Sequence, residues 1–157
     1  MIVAIFNKEK NLLHYLNSSH RELYGFDDPY LVKRVSQCLM LVIPFLKQKK
    51  SITVADFGCG DLRASNLIYA QLVKHFYVES FYCIDIAPTT THAKPEFKIL
   101  QHDLNQRGLK LPDNSVDFAY ALEVIEHLWN VDIFISEVYR ILRSEGVFFV
   151  TTPNLVA

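Results

Sequence analysis

The stretch Val54-Ala55-Asp56-Phe57-Gly58-Cys59-Gly60-Asp61 decides the fold. An apolar, β-rich run stops at two glycines one residue apart, and helical periodicity follows. Residues 52–57 therefore read as a strand, 58–60 as a tight turn and 61–75 as a helix. Glycine suits such a turn because the chain reverses sharply and a ligand can approach the bare backbone. The glycine pair alone fits any nucleotide-binding strand–turn–helix, so the neighbouring charges have to discriminate. A dinucleotide pyrophosphate needs unobstructed amides at the helix N-terminus and Gly or Ala at the third glycine position. Arg63 stands at that position, and Asp56 and Asp61 add two carboxylates. Like charge opposes a pyrophosphate and suits a ligand carrying cationic groups. Asp61 also fits an N-cap on the helix that follows.

Working outward, residues 81–85, 96–101, 116–121 and 146–152 read as further strands, and helical periodicity fills residues 123–142. Strands alternating with helices imply an α/β fold: a mostly parallel sheet with helices on both faces. In such sheets ligands lie beyond the carboxyl ends of the strands. Asp85 ends the second strand and is placed to accept hydrogen bonds from ribose hydroxyls; its plainer reading is a surface acid in the turn before Pro88. Asp103, after the third strand, is placed for an adenine amino group, with a local turn as the alternative.

Upstream, Asp27-Asp28-Pro29 reads as a helix start, and Leu31, Val35, Leu39, Val42 and Leu46 form one apolar stripe. Residues 1–50 are thus expected to form an N-terminal helical cap on a domain spanning residues 51–157. Tyr24, Phe26 and Tyr30 suit core packing more than a pocket lid. With 157 residues, half of them apolar, the chain is one globular domain's worth. A net charge of −1 supplies no general attraction for nucleic acid, and Lys47-Gln48-Lys49-Lys50 reads as a solvated helix end. Cys38, Cys59 and Cys83 show neither CxxC nor zinc spacing, which implies reduced thiols and a cytoplasmic setting. The apolar run 38–46 is nine residues long, against roughly twenty for a membrane span. Residues 1–6 are too short and wrongly flanked for a signal peptide.

Taken in order, the segment 54–60, Asp85, Gln101-His102-Asp103-Leu104, Leu111-Pro112-Asp113-Asn114-Ser115-Val116-Asp117, Glu123-Val124-Ile125-Glu126-His127-Leu128 and Arg140-Ile141-Leu142-Arg143-Ser144-Glu145-Gly146 resemble the ordered motifs of class I S-adenosylmethionine-dependent methyltransferases. The resemblance covers residues 52–154. It implies a Rossmann-like domain with S-adenosyl-L-methionine held by Asp56, Gly58, Cys59, Gly60, Asp61, Asp85, Ile86, Asp103, Leu104 and Glu123. The family usually has another glycine just after Gly60; here Asp61-Leu62 follow, and Leu62 is expected to narrow the methionine end of the pocket.

If residues 123–142 are helical, Glu123, Glu126 and His127 share one face. Similar segments occur in ubiquinone-pathway O-methyltransferases and in small-RNA 2′-O-methyltransferases, and in the latter the resemblance implies Glu, Glu and His ligands to a divalent metal. Two carboxylates and an imidazole suit Mg²⁺ or Mn²⁺, which would activate an acceptor hydroxyl. Alternatively His127 acts as a metal-free general base, with Glu123 and His127 the catalytic pair, or the segment has no chemical role. Methyl transfer from a sulfonium is an in-line displacement that needs alignment and exclusion of water more than catalytic side chains. The expected function is O-methylation of a small-molecule or lipid-like hydroxylated acceptor. The alternatives are a non-catalytic cofactor-binding or interaction module and part of an RNA 2′-O-methyltransferase. The family's sheet usually closes with an antiparallel hairpin, strands six and seven, which this sequence lacks after residue 152. The strand 146–152 is therefore expected to expose an apolar edge, covered by a missing C-terminal segment or by a second copy in a homo-oligomer.

Overall fold

The computed structural model describes residues 2–8, 12–17 and 29–153. Among them run β1 (Ile2–Asn7), β2 (Leu12–Asn17), α1 (Pro29–Leu46), β3 (Ser51–Phe57), α2 (Arg63–Leu72), β4 (Tyr77–Asp85), β5 (Phe97–Gln101), β6 (Val116–Leu122), α3 (Val131–Ile141) and β7 (Leu142–Thr152). A single 3-10 turn, Ile125–His127, lies between β6 and α3. Asp27 and Asp28, with Tyr24, Phe26 and the side chain of Tyr30, lie outside the described residues.

The sheet has the order β2-β1-β7-β6-β3-β4-β5. β3 through β7 run parallel, and β1 is antiparallel to both β7 and β2. This is the expected Rossmann-like α/β architecture. From Ile52 onward β3 is buried on both faces, which explains its continuous apolar sequence. Val54, Phe81, Phe118, Tyr120 and Phe149 pack with Val35, Leu39, Val42 and Leu46 of α1 and Ile68 and Leu72 of α2. Ala55, Phe57, Ala119 and Phe148 pack with Phe134, Val138 and Ile141 of α3 on the opposite face. The chain moves outward from β3 to β4 and β5, then returns to β6 on the other side. The crevice beyond the carboxyl ends of β3, β4 and β6 is therefore the switch point at which such folds bind ligands.

Two expectations need correction. The first 50 residues are not all helical, because residues 2–7 and 12–17 are strands of the same sheet. The edge of β7 is likewise not open: β1 pairs with it from Ile2↔Thr152 to Asn7↔Val147. Along this stretch the hydrogen-bonding edge of β7 is met by β1 of the same chain. Lys8 fastens this arrangement, donating from Nζ to the carbonyls of Tyr139 (3.0 Å) and Leu142 (2.8 Å). Among the described residues, no helix is long and apolar enough to cross a membrane.

At the amino ends of the strands, Asp117 is buried and holds three partners. It accepts from Thr53 N at 2.9 Å and pairs with Lys49 Nζ at 2.9 Å and with Arg143. Lys49, from the basic run, is thus part of the scaffold on the side away from the crevice.

Candidate functional site

The glycine turn is tied to β4, with Gly58 N and Cys59 N both donating to Ile84 O at 2.8 and 3.2 Å. Gly58 has φ +72°, and a Cβ there would lie 2.5 Å from Val124 Cγ2. Gly60 has φ +50°, and a Cβ there would meet nothing within 4 Å. One glycine is required by packing, while the other faces open space beside the crevice. Leu62 also takes a left-handed conformation, φ 66°, and its side chain is fully buried in the core. It turns inward, so the expected narrowing does not arise. Leu62 is the helix N-cap without a side-chain cap bond. Asp61 caps from one residue earlier, accepting from Arg63 N at 3.2 Å and Arg63 Nε at 2.6 Å. Its charge is therefore shared with Arg63 rather than directed alone at the turn.

Asp56 lies beneath the turn, 2% exposed. Its Oδ2 accepts from Ser65 Oγ at 2.6 Å and from Tyr120 Oη at 2.7 Å. Burial pushes its carboxyl up to about 7, against the opposing effect of those two donors. Asp56 thus ties β3 to α2 and β6, with its side chain in the interior. The Cys59 side chain is buried too, and its hydrogen bond with Cys83, reinforced by burial, pushes the thiol up. Such a thiol is chemically quiet.

Asp85 occupies the position the sequence implies. Its Oδ2 accepts from Gly60 N and its Oδ1 from Ala87 N, both at 3.0 Å, which fixes the carboxylate beside the open glycine. The next residue, Ile86, is 61% exposed, an apolar side chain just beyond the carboxyl end of β4. Asp103 is engaged locally, with Oδ1 accepting from Asn105 N and Nδ2, both at 2.9 Å, and Oδ2 from Gln106 Nε2 at 3.1 Å. The bond from the Asn105 backbone leads the causes that hold its carboxyl below the usual range. Leu104 is buried in the α3-side core.

The largest departure concerns residues 123–130. Glu123 has φ 57° and is not helical. Its amide donates to Thr151 O and to Thr151 Oγ1, both at 3.1 Å. After the 3-10 turn Leu128 is extended, and Asn105 Oδ1 accepts from Trp129 N (3.0 Å) and Asn130 N (3.1 Å). These tertiary bonds break the helix that the periodicity suggests, so Glu123, Glu126 and His127 do not share one helical face. Glu126 and His127 are exposed, whereas Glu123 turns toward α1, its Oε2 lying 3.8 Å from Arg34 Nη1. Among the described residues, no three His, Cys, Asp or Glu side chains converge as a metal site. This donor arrangement does not fit the divalent metal inferred from the sequence.

An adenosyl ligand with a cationic tail fits better. Glu123 Oε1 is buried without a hydrogen-bond partner among the described residues. Leaving a buried carboxylate oxygen unpaired is unfavourable, and a ligand ammonium would relieve it. Asp85 and Glu123 stand at the ends of β4 and β6, the strands flanking β3 and its glycine turn. Sequence reasoning missed Ser65 and Tyr120 under Asp56, Val124 against Gly58, and Thr151 behind Glu123. Only the buried hydroxyls of Ser65, Tyr120 and Thr151 gave a signal, as polar groups within apolar periodicity.

Comparison with known proteins agrees with this geometry. Residues 55–150 match the family model described as a methyltransferase domain. A probable S-adenosylmethionine-dependent methyltransferase of Mycolicibacterium smegmatis is 52% identical over 105 residues, 66% of this chain and 38% of that protein. The ubiquinone biosynthesis O-methyltransferase of Pelagibacter ubique is 25% identical over 69% of this chain and 45% of its own length. In fold, the chain resembles the PH0226 protein of Pyrococcus horikoshii, with a TM-score of 0.61 at 18% identity, over 83% of this chain and 57% of that one. The chain therefore spans 38% and 45% of the length of these two curated relatives. By its matched domain and the order of its strands, it belongs to the class I S-adenosylmethionine-dependent methyltransferases.

Proposed function

We propose that this chain forms the cofactor-binding core of a methyltransferase that methylates a hydroxyl of a small or lipid-like acceptor. The observation supporting it most is the pair of acids beside the glycine turn: Asp85, held by the Gly60 amide, and Glu123, with a buried oxygen lacking a partner among the described residues. In this reading Asp85 accepts the ribose hydroxyls, and Ile86 offers its exposed apolar surface to the adenine. Gly60 leaves room for the chain between them, and Glu123 takes the ammonium of the methionine tail. Asp103, at the end of β5, receives the adenine amino group, while Asp56, Cys59 and Leu104 support the turn from the interior. S-adenosylmethionine supplies a methyl group already activated on a sulfonium. The chain's own task is to orient the acceptor and exclude water. His127, exposed on the turn leaving β6, takes the proton released from the acceptor hydroxyl.

The hydroxyl acceptor is favoured by the likeness to the ubiquinone biosynthesis O-methyltransferase. Two experiments test the reading. In calorimetry, S-adenosylhomocysteine should bind and NAD should not; the reverse would refute the cofactor assignment. Transfer of labelled methyl to pooled hydroxylated acceptors should then proceed equally with and without EDTA. Tight cofactor binding with no transfer to any acceptor would favour a binding module instead.

A further inference from the structure

The run Gly146-Val147-Phe148-Phe149-Val150 ends in Thr151, whose side chain is fully buried. Packing alone favours valine at such a position, so the hydroxyl needs a reason. It is provided by Glu123, 28 residues away: Thr151 Oγ1 and O both accept the Glu123 amide at 3.1 Å. Glu123 is held at φ 57°, a left-handed conformation that a non-glycine residue keeps only when its surroundings impose it. That conformation directs the carboxylate toward α1 and leaves Oε1 buried and unpaired among the described residues. It also sets Val124, whose Cγ2 occupies the space a Cβ on Gly58 would need, 2.5 Å away. One hydroxyl thus reaches both sides of the crevice, the acid at the end of β6 and the glycine turn at the end of β3. Thr151 is anchored from two directions, paired with Leu122 of β6 and with Val3 of β1.

We propose that Thr151 is a positioning residue for the cofactor, acting through the Glu123 amide to fix the Glu123 carboxylate and the Val124–Gly58 contact. This rests on the reading of the crevice as an S-adenosylmethionine site. Titration calorimetry with S-adenosylhomocysteine, paired with thermal unfolding, tests it. T151V keeps the β-branched shape and removes the hydroxyl acceptor, leaving the Thr151 carbonyl to hold the amide alone; it should raise Kd about 3- to 10-fold, the worth of one hydrogen bond. T151S should restore Kd to within about twofold, since it returns the same oxygen. Because Thr151 acts through Glu123, T151V should add little to E123Q, giving a non-additive double-mutant cycle. A purely structural threonine would lower Tm while leaving Kd unchanged, or would multiply with E123Q; either result overturns the proposal. If T151V fails to fold, T151A removes the same hydroxyl and is read against T151S in the same way. A wild-type chain that binds no S-adenosylhomocysteine would sink the cofactor reading and this proposal together. Binding by wild type that T151V matches would sink this proposal alone.

Discussion

Residues in this crevice divide by whether backbone, charge or burial decides their role. Gly58 and Gly60 look alike in the sequence, yet the structure separates them. G58A places a methyl group against Val124 at positive φ and should cost about 1–3 kcal/mol in urea unfolding. V124A should recover part of that loss in the double variant. G60A meets open space and should cost only the strain of its backbone, about 1 kcal/mol. For Asp85, D85A should weaken S-adenosylhomocysteine binding about 10- to 100-fold, reflecting lost charge-assisted hydrogen bonds. Retained affinity in calorimetry would refute its ribose role. Asp56 makes a prediction about pH. Its carboxyl sits at about 7 in the fold, against 3.8 for an ordinary Asp, so between those values the folded state binds the extra proton. Its contribution to stability is therefore greatest below about pH 4 and falls as pH rises toward about 7. D56N still offers one oxygen to Ser65 and Tyr120. The stability difference between D56N and wild type should grow in favour of D56N across that interval, as read from urea midpoints.

Among the elements, the N-terminal strand pair is the least foreseeable. The first six residues, Met-Ile-Val-Ala-Ile-Phe, are too few for periodicity to separate a strand from a buried helical turn. Their partner β7 is more than 130 residues away, and no local signal announces that pairing. Removing residues 1–17 should expose the hydrogen-bonding edge of β7 and leave the Tyr139 and Leu142 carbonyls without the Lys8 ammonium. Light scattering should then report association or aggregation, whereas the full chain should stay smaller; a monomeric, well-behaved deletion variant would contradict this. The segment between β6 and α3 shows the complementary limit. Its apolar spacing is helical, but backbone amides at its two ends are captured by Thr151 and Asn105 from elsewhere in the fold. Where an outside acceptor is better placed than the residue four positions back, periodicity no longer decides the local structure.

For the molecule as a whole, cofactor binding should show in stability. A ligand at 100 times its Kd stabilises by about 2.7 kcal/mol. For a domain of this size that corresponds to a rise in Tm of about 5–10 °C with S-adenosylhomocysteine, and scanning fluorimetry with NAD as the control checks it. By itself the sequence determined the order of strands and helices from residue 51 onward, the glycine turn and the acid at Asp85. Each of these is local, written in apolar periodicity, in glycine's access to positive φ and in the strand-end position of a charge. Only the tertiary structure decided that β1 covers the edge of β7, that Leu62 turns inward, that Asp56 is buried, and that Glu123 leaves the helix. Each depends on a partner distant in sequence or on burial by surrounding elements, and hydrogen bonds and desolvation at that range leave no period to read. The glycine turn belongs to both levels: its glycines are legible in one dimension, and Val124, which makes Gly58 obligatory, is not.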